Sequence, residues 1–307
     1  MRQYTVGTRG SALALWQTRH VTSRLQARAG SIAERIITTQ GDVNLTERLQ
    51  GSIEKGFFTQ ELEAALRGKE IDWAVHSLKD LPTRMPPGLA LGAVLERAPA
   101  SDLLLVRKDA YAPGEALPVK AGGRVGSSSL RREHLLRRFA PRCEPRPLRG
   151  NVPTRVEKLR RGDFEAVLLA QAGVKRLQLD LSGLTVLELN PRRWVCAPGQ
   201  GAVAVQCRED DAEVLALTGT IDHPATRAAT AIERDFLKVL EGGCTTPFGC
   251  YVEGGVAHLG LLTPGGFRLA AVALPPAPTP TFMQDQLDRR AAHTLPESPD
   301  DWLARQL

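Results

Sequence analysis

The sequence lacks the markers of several protein classes. It has five cysteines, an odd number, and no CxxC pair, so we expect neither a disulfide framework nor a zinc site. Its six histidines are scattered without ligand spacing. No run reaches the roughly 18 apolar residues of a membrane span, and the N-terminus enters a strand pattern without a signal-peptide stretch. These absences predict a cytoplasmic enzyme or binding protein that holds no metal and does not cross a membrane.

Aromatic residues are few where positive charge is dense. The net charge of +6 is unevenly spread, and the arginine-rich segment 124–161 has Phe139 as its only aromatic residue. A protein that binds single-stranded nucleic acid uses aromatic platforms for the bases, so we do not expect nucleic acid here. A solvated basic face and a site for a small polyanion both remain open, because arginine forks suit carboxylates and phosphates. We prefer the solvated face for Arg137, Arg138, Arg160 and Arg161.

The pattern of apolar residues predicts an α/β fold. A chain of 307 residues exceeds the usual size of one core, so two or three domains are expected. Strands are predicted at 4–6, 35–38, 73–76, 103–106, 124–126 and 166–170, and helices at 12–27, 60–66, 130–138 and 153–161. This alternation favours parallel sheets in two series that resemble each other as folds. A late strand at 202–205 can return to the first sheet.

The C-terminal part of the chain has a different pattern. Segments 251–252, 256–262 and 267–274 predict antiparallel strands, and a helix is expected around 281–290. A smaller C-terminal domain with its own sheet is therefore expected.

Four segments at strand ends carry polar residues suited to binding. They are 8–11 (TRGS), 75–80 (VHSLKD), 126–132 (GSSSLRR) and 148–155 (LRGNVPTR). Parallel sheets bind ligands at the carboxyl ends of their strands, and helix N-termini favour anions. Structural alternatives remain open, because a serine can simply cap a helix and a Lys79–Asp80 surface ion pair contributes little.

One cysteine stands apart from the others. Cys244 ends the sequence EGGC, after a helical pattern at 225–240. Paired glycines stop a helix and leave an uncrowded loop, whereas a structural cysteine is usually buried among apolar neighbours. The residues alone leave both an attachment point and a structural thiol open for Cys244.

Together these segments resemble the porphobilinogen deaminase (hydroxymethylbilane synthase) family over nearly the whole chain. Besides the four strand ends and EGGC, the matching segments are 13–17 (LALWQ), 55–58 (KGFF), 61–63 (ELE), 172–176 (AGVKR) and 199–203 (GQGAV). The chain departs from the family at Ser127, where threonine is usual, at Pro153, where glycine is usual, and in the loop 46–54. The stretch after Val252 matches poorly.

The resemblance implies an architecture of three domains. Two are periplasmic-binding-protein-like α/β lobes, the first formed by 1–98 plus 197–217 and the second by 102–193. A smaller α/β domain, 221–307, would carry the cofactor attachment point.

The resemblance also implies a reaction and a cofactor. Four porphobilinogen molecules would be joined head to tail with release of ammonia, giving hydroxymethylbilane for heme biosynthesis. A dipyrromethane attached to Cys244 as a thioether would prime the chain, and Asp80 would be the catalytic carboxylate. The enzyme is expected to act as a cytoplasmic monomer on this small-molecule substrate.

Matching positions supply the remaining site residues. The arginines expected to bind cofactor and substrate carboxylates are Arg9, Arg131, Arg132, Arg149, Arg155 and Arg176. Supporting donors are Ser11, Ser77, Lys79, Ser127, Ser128 and Ser129, and further lining residues are Gln17, Gln200, Lys55 and Phe58. His76 and the cysteines other than Cys244 are expected to be structural.

A protein of another class could use the same residues. A two-lobed binding or sensor protein for a small polycarboxylate would share the composition and the order of elements. The mass of the intact protein distinguishes the two hypotheses, because a binding protein carries no covalent pyrrole adduct.

Overall fold

The computed structural model describes residues 2–39, 59–240 and 247–292. These residues form two compact units. The first contains the described residues of 1–100 and 198–240, and the second contains those of 101–197 and 247–292. The predicted boundaries of three domains, including a separate domain at 221–307, stay a prediction.

Strands and helices alternate through most of the chain. In chain order they are β1 (Tyr4–Thr8), α1 (Ala12–Ala29), β2 (Ile32–Ile36), α2 (Gln60–Arg67), β3 (Trp73–Ser77), β4 (Leu89–Val94), β5 (Asp102–Arg107), β6 (Arg124–Gly126), α3 (Leu130–Phe139), β7 (Glu144–Arg146), α4 (Val152–Arg160), β8 (Ala166–Ala170), α5 (Gln171–Arg176), β9 (Leu184–Leu189), β10 (Val203–Arg208), α6 (Ala212–Gly219), α7 (Pro224–Val239), β11 (Phe248–Glu253), β12 (Val256–Thr263), β13 (Gly266–Ala273) and α8 (Pro280–Ala292). Short 3₁₀ turns follow β3 at Leu78–Asp80 and β5 at Lys108–Ala110.

The two units contain five-stranded sheets of the same design. The order is β2-β1-β3-β10-β4 in the first unit and β7-β6-β8-β5-β9 in the second. In each, the first three strands are parallel and the fourth runs antiparallel to both of its neighbours. The fold class is therefore α/β as predicted, and the late strand returns to the first sheet as predicted.

The expectation of purely parallel sheets is wrong for the fourth strand. β5 and β10 each follow a stretch of chain that belongs to the other unit, so neither enters its sheet through a strand–helix–strand crossover. The rule that makes such crossovers parallel and right-handed therefore does not apply to them.

The third sheet is a simple antiparallel meander. Its order is β11-β12-β13, and it belongs to the second unit. The backbone N–H of Cys250 in β11 donates to the carbonyl of Cys196 at 3.0 Å, and Phe267 of β13 lies in the same apolar cluster as Leu135 of α3. The predicted antiparallel strands are confirmed.

Both large sheets are buried on two faces. β10 is buried at every position, and α1 covers one face of the first sheet through Val21 and Leu25, which are fully buried. α2 covers the other face through Leu62 and Leu66.

No helix among the described residues is long and apolar enough to cross a membrane.

Candidate active site

The carboxyl ends of β1 and β3 border one small pocket. Its volume is about 70 Å³, and the predicted site residues that line it are Arg9, Ser11, Gln17, Ser77 and Asp80. The two strands are parallel neighbours, so their carboxyl ends meet at one edge of the sheet. The structure thus brings together five of the predicted residues of the first unit.

Hydrogen bonds fix the walls of this pocket. Ser11 caps α1, its Oγ accepting from the N–H of Ala14 at 3.3 Å. The buried Gln17 donates from Nε2 to Ser77 Oγ at 2.8 Å, which joins α1 to the end of β3. Arg9 is half-buried beside them. The predicted capping alternative is therefore observed for Ser11, which also lines the pocket.

Asp80 stands on a short turn with a buried base. Leu78 and Leu81 are only 1% and 2% exposed, whereas Asp80 is exposed and Lys79 is half-buried. The Leu81 N–H donates to the Leu78 carbonyl at 3.2 Å. The turn therefore anchors its two leucines in the core and leaves the carboxylate of Asp80 accessible at the pocket.

The histidine next to this turn is uncharged at neutral pH. His76 is 5% exposed and lines the same pocket. Burial lowers its pKa from 6.5 to about 4, because desolvation disfavours the imidazolium; a hydrogen bond with Gln206 opposes this, and the charge of Arg9 adds to it. The neutral ring places no second positive charge beside Arg9.

Gln200 lies in a loop that packs behind the Asp80 turn. Its side chain is buried and donates to the Ala100 carbonyl at 2.6 Å. The neighbouring Gly199 has a φ of 73°, and a Cβ there would lie 3.0 Å from Leu78 Cγ. The loop thus requires glycine at 199 to pack against the Asp80 turn, and the buried Gln200 supports the site from within the core.

The second unit presents serines at the end of β6. Ser129 caps α3, and its Oγ accepts from the N–H of Arg132. Ser127 Oγ accepts from the Ser129 N–H at 3.1 Å, and the exposed Ser128 donates to the Leu148 carbonyl. These contacts join the carboxyl ends of β6 and β7. The capping alternative is observed for Ser129.

Arg131 and Arg132 are held inside the second unit by Asp102. The two arginines are 4% and 6% exposed, and Asp102 is fully buried. Arg131 Nη2 lies 3.0 Å from Asp102 Oδ2, and Arg132 Nη2 lies 2.6 Å from Oδ1. Trp194 Nε1 donates to the same carboxylate at 3.0 Å. Binding of ligand carboxylates by these two arginines stays a prediction.

Three further arginines lie near the strand ends of the second unit. Arg149, Arg155 and Arg176 are all half-buried. Arg155 Nε donates to the Gly150 carbonyl at 2.7 Å, which folds its side chain back over the start of α4. Desolvation lowers the pKa of Arg176 to about 10, so this guanidinium has lost much of its hydration.

Several predicted residues cannot be placed. Cys244, Lys55 and Phe58 lie outside the described residues. The other four cysteines are buried free thiols: Cys143, Cys196, Cys207 and Cys250. Burial raises the pKa of Cys207 to about 11 and also raises that of Cys143, which disfavours the reactive thiolate. The expectation that Cys250 is packed is confirmed.

Comparison with known proteins decides the family. The family model described as the dipyrromethane cofactor binding domain of porphobilinogen deaminase matches residues 4–216. The chain belongs to the porphobilinogen deaminase family. It is 46% identical over 253 residues to the porphobilinogen deaminase of Desulforamulus reducens, with 81% of this chain and 79% of that protein covered. It is 42% identical to that of Chromobacterium violaceum, with 96% and 94% covered.

Solved structures with a similar arrangement are more distant. The VFT2 domain of Bordetella pertussis BvgS is 16% identical, with 75% of this chain and 92% of that one covered, and its TM-score is 0.44. The substrate-binding protein AbpA of Streptococcus pneumoniae, an amino acid ABC transporter component, is 11% identical, with 75% and 91% covered and a TM-score of 0.40.

Sequence reasoning missed Asp102, which accepts hydrogen bonds from Arg131 and Arg132. A signal was present: an aspartate opens the apolar run of β5, and a charge at the border of a buried strand requires a partner. The pair Arg131 and Arg132 supplied candidates, but the pairing of β5 with β8 could not be derived from one sequence.

Proposed function

We propose that this chain is the transferase that joins four porphobilinogen molecules head to tail, with release of ammonia, to form hydroxymethylbilane. One observation carries the assignment of its site. In this chain, Asp80, Ser77 and Arg9 lie around one pocket at the end of β3. We further propose that it acts as a cytoplasmic monomer and that porphobilinogen is its small-molecule substrate.

The donor set of the described residues fits a dipyrromethane. Such a group carries acetate and propionate carboxylates, and arginine forks bind carboxylates in bidentate fashion. When bound, it supplies a nucleophilic pyrrole carbon as primer for the chain. The residues proposed to hold its carboxylates are Arg131, Arg132, Arg149, Arg155, Arg176 and the serines 127–129, with attachment at Cys244.

The desolvated Arg176 supports this assignment on its own evidence. Its pKa is lowered to about 10 by burial, so its positive charge is less stable than in water. A carboxylate bound beside it would reverse that shift. In the first unit, the half-buried Arg9 lines the pocket beside Asp80, and its guanidinium is proposed to bind the carboxylates of the incoming substrate.

Asp80 is proposed to stabilise the positive charge that develops on the substrate as ammonia leaves. Its carboxylate can accept a hydrogen bond from the pyrrole N–H and hold the proton there. The buried base of its turn fixes this charge before the substrate arrives, which is the condition for electrostatic catalysis. Gln17 and Ser77 hold the adjoining wall through their 2.8 Å hydrogen bond.

Mass spectrometry tests the proposal directly. The purified protein is expected to carry an adduct of two linked pyrrole units, which peptide mapping places on Cys244. Cys244→Ser should lose the adduct and nearly all turnover, whereas Cys250→Ser, at a buried thiol, should keep both. An active protein without an adduct would contradict the proposal, and so would an adduct on Cys250.

A further inference from the structure

Arg234 reaches the backbone of the Asp80 turn from α7. It is 9% exposed. Its Nη1 donates to the carbonyls of Leu78 and Leu81, both at 3.1 Å, and its Nη2 donates to that of Pro82 at 2.6 Å. One guanidinium thus binds three carbonyl oxygens on the two sides of Asp80.

These contacts act on the segment whose position matters most for the carboxylate. The Leu78 carbonyl already accepts the Leu81 N–H that closes the turn, and the Leu78 N–H donates to the carbonyl of Ala202 at 3.0 Å. Hydrogen bonds from a charged donor are roughly twice as strong as neutral ones. Arg234 therefore holds both ends of the turn, and Ala202, the residue before β10, also holds its start.

The adjacent residue of α7 holds the loop behind the turn. Glu233 is fully buried. Its Oε2 accepts from the Gly199 N–H at 2.8 Å, and its two oxygens bind Arg97 Nη1 and Nη2 at 2.7 and 3.0 Å. Gly199 in turn packs against Leu78. Two successive residues of α7 thus hold the Asp80 turn and the loop that packs behind it: Arg234 binds the turn, and Glu233 binds the loop at Gly199.

We propose that Arg234 is a positioning residue for Asp80: it holds the 78–82 backbone so that the carboxylate keeps its place at the pocket. This inference rests on the proposed function, because it assigns Asp80 the catalytic charge. In the sequence, Cys244 comes five residues after Val239, the last residue of α7. The same helix thus supports the catalytic turn and leads to the proposed attachment point.

The variants Arg234→Gln and Arg234→Lys test the proposal in the holoenzyme. Glutamine cannot reach three carbonyls and carries no charge, whereas lysine keeps the charge but not the planar fork. We expect Arg234→Gln to lower kcat by about 10- to 100-fold, since small displacements of a catalytic group have effects of this size. KM should stay within about twofold, and Arg234→Lys should recover part of the loss.

Arg227→Gln is the matched control. Arg227 lies on the same helix and donates to Asp222 and to the carbonyls of Leu91 and Gly92 in β4. The substitution therefore removes a comparable set of hydrogen bonds, but from β4 rather than from the Asp80 turn. Its kcat should stay near that of the wild type. Equal losses for Arg227→Gln and Arg234→Gln would overturn the proposal.

Hydrogen exchange provides a readout that does not depend on turnover. In Arg234→Gln, the amides of residues 78–81 should exchange at least tenfold faster while those of β10 stay protected. If Arg234→Gln does not fold, the same comparison is made with Arg234→Lys. Unchanged exchange at residues 78–81 overturns the positioning role even if activity falls. Failure of the proposed function is distinct, because the wild-type protein would then not consume porphobilinogen.

Discussion

The two units contain sheets of the same topology but differ in the burial of a carboxylate near the third strand: it is exposed in the first unit and buried in the second. β3 and β8 hold the same position in their sheets, and Ser77 and Ala170 are equivalent by the register with their neighbours. Just beyond Ser77, Asp80 is exposed at a pocket. Beside Ala170, on the fourth strand, Asp102 is fully buried.

The difference shows how one backbone can serve two purposes. In the second unit, Arg131 and Arg132 follow the capping Ser129, and both pair with the single carboxylate of Asp102. In the first unit, Leu13 and Ala14 occupy the first turn of α1, and the residue paired with Ser77 is Val203 rather than an aspartate. The first unit therefore has no buried carboxylate at the position equivalent to Asp102, where it has Val203.

Asp80→Asn tests the first half of the comparison and should have the largest effect. The substitution keeps size and hydrogen-bonding reach but removes the charge. We expect turnover to fall by about 10²- to 10⁴-fold, the range for loss of electrostatic or proton-transfer catalysis, with an unchanged melting temperature and an intact adduct by mass. A variant with near-normal turnover would refute the role of Asp80.

Asp102→Asn tests the second half. It leaves two buried guanidinium groups without a countercharge, and breaking a buried ion pair costs about 3–5 kcal/mol. We expect a loss of this size in the free energy of unfolding, measured by denaturant titration. Asp109→Asn, at an exposed partner of Arg107, should cause no measurable change. Similar stability for both variants would show that the buried cluster does not hold the second unit.

The pH dependence of stability should report on His76, because the equivalent position in β8 is Leu169 and does not titrate. The folded-state pKa of His76 is lowered to about 4, so the unfolded chain binds the proton more tightly. Stability is therefore retained above about pH 6.5 and lost as pH falls toward 4, by about 3 kcal/mol in all. His76→Gln should flatten this part of the stability profile, and an unchanged profile would contradict the assignment.

The smallest effects are expected at single arginines of the second unit. Arg149→Leu or Arg155→Leu should lower kcat/KM by about tenfold or more, because a hydrogen bond to a charged group contributes roughly 1.5–3 kcal/mol. Arg137→Leu is the control, since Arg137 is exposed and pairs with Glu133 four residues earlier. Equal, mild effects at all three positions would place these arginines on a solvated face.

Most of the fold could be predicted because its signals are local. The capping serines and the apolar runs of β3, β5 and β8 marked element ends to within a few residues. β2 lies at Ile32–Ile36, three residues before the predicted segment 35–38, because β2 is an edge strand with weak apolar alternation. β4, β7 and β9 were not predicted, although the alternating sequence of β9 was a usable signal.

The site could be predicted only in part because its supports are not local. Ser77 and Asp80 share one segment, and Arg9 and Ser11 share another, so motif spacing sufficed for them. The partners that fix them lie far away in sequence: Gln17 contacts Ser77 across 60 residues, and Arg234 contacts Leu78 across 156. Such pairings depend on the sheet order, which one sequence does not determine.

The late position of β10 in the chain sets an order for completing the two sheets during synthesis on the ribosome. All five strands of the second sheet lie within residues 102–189, whereas the first sheet needs β10 at Val203–Arg208 between β3 and β4. The half of the chain that is made first therefore emerges with two unpaired strand edges, which are prone to wrong associations. The half made later is the first that can complete its sheet, because the nascent chain has one finished sheet and one open one once residue 189 has emerged and until β10 emerges.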